Sequence, residues 1–146
     1  MAENMKFDLV SPERSLVSGE ASAVQIPGTD GDLTVMYGHA PVITTLRPGI
    51  LRVEGPKGEE DYLVSGGFAE INGDGLTVLA ERAVRRDEMH QELFNDWVAE
   101  ARDAKAKADE FKNEPGPVDD AAKLLSDMVA LGTHIGLDPN QTNLGG

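Results

Sequence analysis

Near residue 85 the apolar residues of this chain change their spacing, and that change constrains the fold more than any single motif. Eleven of the 16 glycines lie before it, and they cut the sequence into apolar runs too short to be helices. Glycine supplies positive φ without steric cost and proline removes a ladder donor, so both punctuate strands. The runs at 6–10, 21–26, 33–37, 50–54, 61–65, 67–71 and 76–80 read as strands, and a further apolar run spans 42–46. Gly55-Pro56-Lys57-Gly58 and Asn72-Gly73-Asp74-Gly75 stand between neighbouring runs, at hairpin positions. Leu76, Val78 and Ala80 share one face, as a period of two requires. Parallel pairing needs crossover segments for which there is no room, so the pattern predicts a β-sandwich of two antiparallel sheets over residues 1–84.

Beyond Arg85-Arg86-Asp87 the period is helical. Met89, Leu93, Phe94, Trp97, Val98, Ala101, Ala104, Ala108 and Phe111 recur at three and four residues and form one apolar stripe. Asp87 reads as the N-cap, and the helix should stop near Lys112, before Pro115-Gly116-Pro117. Asp119 and Asp120 open a second helix, with Ala122, Leu125, Met128 and Val129 inward and an end near Gly132. The fold class is mainly β with α: the sandwich is followed by an α-helical hairpin over residues 85–146. The polar, Gly-rich end from Gly136 to Gly146 is expected to be disordered in isolation.

Charge narrows the partners. Thirteen basic side chains face 26 acidic ones, a net charge of −13, and both parts of the chain are acidic. Such a surface repels phosphate backbones and anionic headgroups, which argues against nucleic acid and against direct membrane binding. No cysteine is present, so disulfides, thiol catalysis and thiolate zinc sites are excluded. The opening Met1-Ala2-Glu3-Asn4 has no basic, apolar leader and no run reaches bilayer length, so the chain reads as soluble.

Catalytic chemistry finds little to use. His39 sits in a Gly- and Pro-rich turn without a recognisable nucleophile or orienting carboxylate beside it. Asp30 and Asp32 flank Gly31 like the start of a calcium loop, but the required glutamate position holds Pro41. Asp87, His90 and His134 make no metal cage, and Trp97 belongs to the apolar stripe. Arg82, Arg85 and Arg86 lie among Glu81, Asp87 and Glu88 and read as mutual neutralisation. Residues 28–49, with an acidic loop at one end and a rigid His-Ala-Pro corner at the other, therefore read as a docking surface without catalytic residues, metal or cofactor.

The series Gly31-Asp32-Leu33, Gly38-His39-Ala40-Pro41, Thr44 and Arg47-Pro48-Gly49 resembles the epsilon subunit family of F-type ATP synthases. Ser65-Gly66-Gly67-Phe68-Ala69-Glu70 and Leu76-Thr77-Val78-Leu79-Ala80 continue the resemblance, which covers roughly residues 5–112. It implies a non-catalytic central-stalk subunit that joins the gamma subunit to the c-ring and couples proton-driven rotation to ATP synthesis. Peripheral attachment at the cytoplasmic face of a bacterial inner membrane, through the complex alone, goes with it. By resemblance Asp30, Gly31 and Asp32 form the tip that meets arginine-bearing loops of the c-ring. Ser11, His39, Ala40, Pro41 and Thr44 meet the gamma subunit.

The C-terminal helices can reach the alpha and beta catalytic subunits in related proteins and brake ATP hydrolysis. From Asn113 onward there is one Lys against Glu114, Asp119, Asp120, Asp127 and Asp138, a poor set for gripping an acidic partner, so weak or absent inhibition is expected. Some family members bind ATP through an Ile/Leu-Asp-x-x-Arg-Ala motif. Here the matching Arg86-Asp87-Glu88-Met89-His90-Gln91 keeps only Asp87, which argues against a nucleotide site. Two other classes fit the composition: a small ligand-binding sandwich with a helical dimerisation hairpin, and a hydrolase with paired carboxylates.

Overall fold

The computed structural model describes residues 4–109 and 117–137. They form two compact units, Met1–Glu88 and Met89–Gly146.

In the first unit ten strands follow in order: β1 (Met5–Val10), β2 (Ser15–Ala21), β3 (Ala23–Gly28), β4 (Gly31–Met36), β5 (Val42–Leu46), β6 (Gly49–Gly55), β7 (Gly58–Val64), β8 (Gly67–Ile71), β9 (Gly75–Ala80) and β10 (Ala83–Arg85). They pair in the order β10-β7-β6-β3-β5-β8-β9-β1-β2, with β4 on the free side of β3. The sheet folds over where β3 passes from β6 to β5, through the single pair Gly28–Leu46. The result is a nearly closed sandwich. Alternation sorts its side chains: Phe7 and Leu9, Val24 and Ile26, Ala69 and Ile71, and Leu76 and Val78 all point into one core and are at most 2 % exposed.

Two details depart from the sequence expectation. β1 runs parallel to β9, so the sandwich is not wholly antiparallel. The two strands are joined by nearly the whole unit, which serves as the crossover that a short loop cannot provide. The stretch 21–26 also divides: β2 ends at Ala21 and β3 starts at Ala23. Both expected hairpin turns are present. Gly55 pairs with Gly58 across Pro56-Lys57, and Asn72 exchanges backbone bonds with Gly75 while its side chain accepts from Asp74 N and Gly75 N.

In the second unit helix α1 (Gln91–Asp109) and helix α2 (Pro117–Ile135) make the hairpin. α1 begins four residues after Asp87, which instead lies in a 3-10 turn, Arg86–Glu88. Phe94, Trp97, Val98 and Ala101 are buried as the stripe requires, while Ala108 and Phe111 fall outside the residues whose side chains are described. On α2 the buried side chains are Ala121, Met128 and Leu131, with Leu125 and Val129 half-buried and Ala122 exposed. The inner face is thus rotated from the one read in sequence. Gly132 does not end this helix. It lies against Phe94, where a Cβ would come 2.5 Å from the ring, so glycine here permits the close approach of the two helices. The helix closes at Gly136, with φ +81° and the Leu137 N–H donating to Gly132 C=O. The expected end of α1 at Lys112 lies outside the described residues, as do residues 138–146 of the expected disordered tail.

Candidate functional site

The β3–β4 turn forms the acidic tip. Gly28 and Gly31 close a two-residue loop, Thr29-Asp30, and Gly31 takes φ +132°. Asp30, Gly31 and Asp32 are all exposed. Asp32 is paired within the chain: Arg47 Nη2 donates to one carboxylate oxygen at 2.5 Å and Gln25 Nε2 to the other at 3.3 Å. Arg47 also donates through Nη1 to Gly28 C=O. Sequence reading passed over Arg47, because its partner stands 15 residues away and only the β3–β5 contact brings them together.

The corner at the other end of β4 is built locally. His39 N donates to Met36 C=O, and the His39 ring is 2.7 Å from Ala40 C=O through Nδ1. A carbonyl can only accept, so Nδ1 carries the proton. Ala40 and Pro41 are exposed. Gly38 N donates to Gly73 C=O, which ties this corner to the β8–β9 turn. Ser11 and Thr44 are placed differently from the rim positions read in sequence. Ser11 is 9 % exposed and its hydroxyl closes a turn onto Arg14 C=O. Thr44 is half-buried, opposite Ala69 on the core side of β5. Its neighbours Ile43 and Thr45 face outward instead.

That outward face carries large apolar side chains among Thr45, Glu70 and Thr77. The register aligns Thr45 of β5, Phe68 of β8, Leu79 of β9 and Val10 of β1 in one row. Ile43 is 71 % exposed, Phe68 56 % and Leu79 50 %. With Met36, Tyr37 and Val42 they are the exposed large apolar side chains of the described residues. Met36, Tyr37, Val42 and Ile43 flank His39-Ala40-Pro41 in the chain, whereas Phe68 and Leu79 stand farther along β8 and β9, level with Thr45. Sequence reading missed Ile43, Phe68 and Leu79 as site residues. The signal was available: Phe68 alternates out of phase with Ala69 and Ile71, and Leu79 with Leu76, Val78 and Ala80.

A third region is charged and satisfied within itself. Asp61 accepts from Arg52 at 2.9 Å and from Arg86 at 2.9 Å, and Arg85 lies 3.5 Å from Asp87. The hydrogen bond from Arg52 leads the effects that hold the Asp61 carboxyl below its ordinary range, with Arg86 adding to it. Tyr62 donates to Glu60 at 2.6 Å, and burial first, then that carboxylate, pushes its phenol up to about 12. Asp61 and its partners line a cavity of about 510 Å³ bounded by Arg52, Glu59, Glu60, Asp61, Arg85, Arg86 and Asp87. With Asp61 held ionised by two guanidiniums and Tyr62 held neutral, neither is poised to exchange a proton near neutral pH. Asp87, the remnant of the nucleotide motif, faces Arg85 here.

Residues 4–86, the whole of this strand-built unit but its edges, match the family described as ATP synthase, Delta/Epsilon chain, beta-sandwich domain. The chain belongs to the ATP synthase epsilon chain family. The ATP synthase epsilon chain of Ruegeria sp. (strain TM1040) is 58% identical over 137 residues, covering 94% of this chain and 100% of its own. That of Paracoccus denitrificans is 54% identical over 146 residues, covering 98% of each. These alignments extend past the sandwich into the helical unit. A solved chain from the Euglena gracilis mitochondrial ATP synthase, OSCP/F1/c-ring, shares the fold with a TM-score of 0.64 at 23% identity, over 90% of this chain and 81% of that one. The epsilon chain is a non-catalytic stalk subunit of ATP synthase and associates with other subunits of that complex. No helix among the described residues is long and apolar enough to cross a membrane.

Proposed function

We propose that this chain is the rotor joint of a proton-translocating ATP synthase, fixing the foot of the gamma subunit to the c-ring so that ring rotation turns the central stalk. The observation that carries this reading is the exposure of Ile43, Phe68 and Leu79 together on the outward face of β5, β8 and β9. Covering exposed apolar side chains with a partner surface is favourable by roughly 25 cal/mol per Å² of apolar area removed from water. The gamma subunit covers that face in this reading, with Ile43, Phe68 and Leu79 as anchors. Thr44, opposite Ala69 on the inner side of β5, lies beneath this face.

The acidic tip of Asp30, Gly31 and Asp32 meets basic loops of the c-ring, where charge complementarity gives register and specificity. A joint that carries torque must resist shear, and a laddered sandwich does so because sliding breaks many backbone bonds together and throws core side chains off their face. Attachment to the cytoplasmic face of a bacterial inner membrane is peripheral and runs through the ring.

Changing Ile43→Asp together with Phe68→Asp tests the reading. The tagged wild-type chain should retain gamma and the c-ring on purification, and the double variant should lose gamma with its own circular dichroism unchanged. A double variant that retains gamma as well as wild type would defeat the proposal. The helical hairpin, with its acidic second half, reaches toward the catalytic subunits with little braking effect in this reading. Deleting residues 113–146 should leave the ATPase rate of the assembled complex within about twofold, a barrier change well under 1 kcal/mol. Several-fold activation would contradict that part.

A further inference from the structure

The two aspartates of the tip are not equivalent. Both oxygens of Asp32 are engaged inside the chain, one by Arg47 and one by Gln25. Asp30, the second residue of the loop that the Gly28–Gly31 pair closes, has no intrachain partner among the described residues. Arg47 is itself anchored. Its backbone N–H donates to Pro27 C=O at 2.9 Å, and Thr29 N–H donates to Thr45 C=O at 3.0 Å, so the end of β5 grips the turn from below. Gly28, whose carbonyl takes the other arm of the guanidinium, has no room for a side chain, since a Cβ would lie 2.7 Å from Gly31 C=O.

We propose that Arg47 is the positioning residue of the acidic tip: it neutralises Asp32 and pins the turn, so that Asp30 is the carboxylate presented to the cationic loop of the ring. This rests on the reading of the tip as the c-ring contact. The physical reason is competition. A guanidinium forked between a backbone carbonyl and a carboxylate is pre-organised by the strand that carries it. An incoming arginine must displace it to reach Asp32 but meets no rival at Asp30. The tip then offers one uncompensated negative charge at a fixed place in the turn, where the sequence alone suggests two.

The test uses the full chain assembled with gamma and the c-ring, and reads the fraction bound against salt concentration for Asp30→Asn, Asp32→Asn, Arg47→Gln and their pairs. Asp30→Asn should weaken attachment about tenfold and flatten its salt dependence, the loss expected for one charge-assisted bond, while Asp32→Asn changes it less than about threefold. In the Arg47→Gln background Asp32 is released, so the two asparagine substitutions should cost about the same. A merely structural Arg47 would shift melting without changing this ranking. Asp32→Asn costing as much as Asp30→Asn in the otherwise native chain would overturn the inference and leave the c-ring contact standing. If neither substitution alters attachment at any salt concentration, the tip is not the contact and the reading beneath the inference fails as well.

Discussion

The Ile43–Phe68–Leu79 face and the Arg52–Asp61–Arg86 corner belong to one sandwich, yet they treat solvent in opposite ways. At the corner every carboxylate oxygen of Asp61 has a guanidinium within 2.9 Å, and its charge is already answered. On the apolar face three large side chains stand half or more exposed, with nothing from their own unit to cover them. A surface whose groups satisfy one another gains little from a partner, because binding would trade good contacts for new ones. A surface of exposed hydrocarbon gains from any complementary partner. In the proposed function adhesion belongs to the second face, and the first holds β6, β7 and the turn after β10 together.

The sharpest way to test that contrast is to compare inner and outer positions on a single strand. Leu76 and Leu79 both belong to β9, but Leu76 is 2 % exposed and Leu79 50 %. Leu76→Ala should cost about 2–5 kcal/mol in chemical denaturation, as large-to-small core changes do. Leu79→Ala should stay within about 0.5 kcal/mol and act only on assembly. Equal costs would mean that the outer face is part of the core.

A smaller effect is expected at the charged corner. The folded-state pKa of Asp61 lies below its ordinary 3.8, so its ion pairs add stability that is present above that value and fades as the pH falls below it. Asp61→Asn should therefore lower the melting midpoint modestly at neutral pH, and the two melting curves should draw together in acid. Attachment to gamma should not change. A difference that persists undiminished at pH values well below 3.8 would remove the ion pairs from the explanation.

Much of this architecture is legible in the sequence. Short apolar runs bounded by glycine or proline locate seven strands and mark the stretch of an eighth at 42–46, and the shift to three- and four-residue spacing separates the helical hairpin. What is missed has physical causes. β2, Ser15–Ala21, is largely exposed and polar at a sheet edge, and β10 has three residues, so neither shows an apolar run. In Val42-Ile43-Thr44-Thr45-Leu46 no alternation of polarity marks which residues face out, and only the register with β8 turns Thr44 inward. The pairing of Arg47 with Asp32 depends on a long-range contact and leaves no local trace. Family resemblance suggests contact residues in outline, and the proposed function weighs them by what each side chain already touches.

Side-chain labelling by hydroxyl radicals, comparing the free chain with the chain bound to gamma and the c-ring, addresses adhesion by the apolar face most directly. Phe68 should react readily in the free chain and be strongly protected in the complex. Labelling of Phe68 at the same rate in both states would show that this face meets water in the assembled machine, and the account would be wrong.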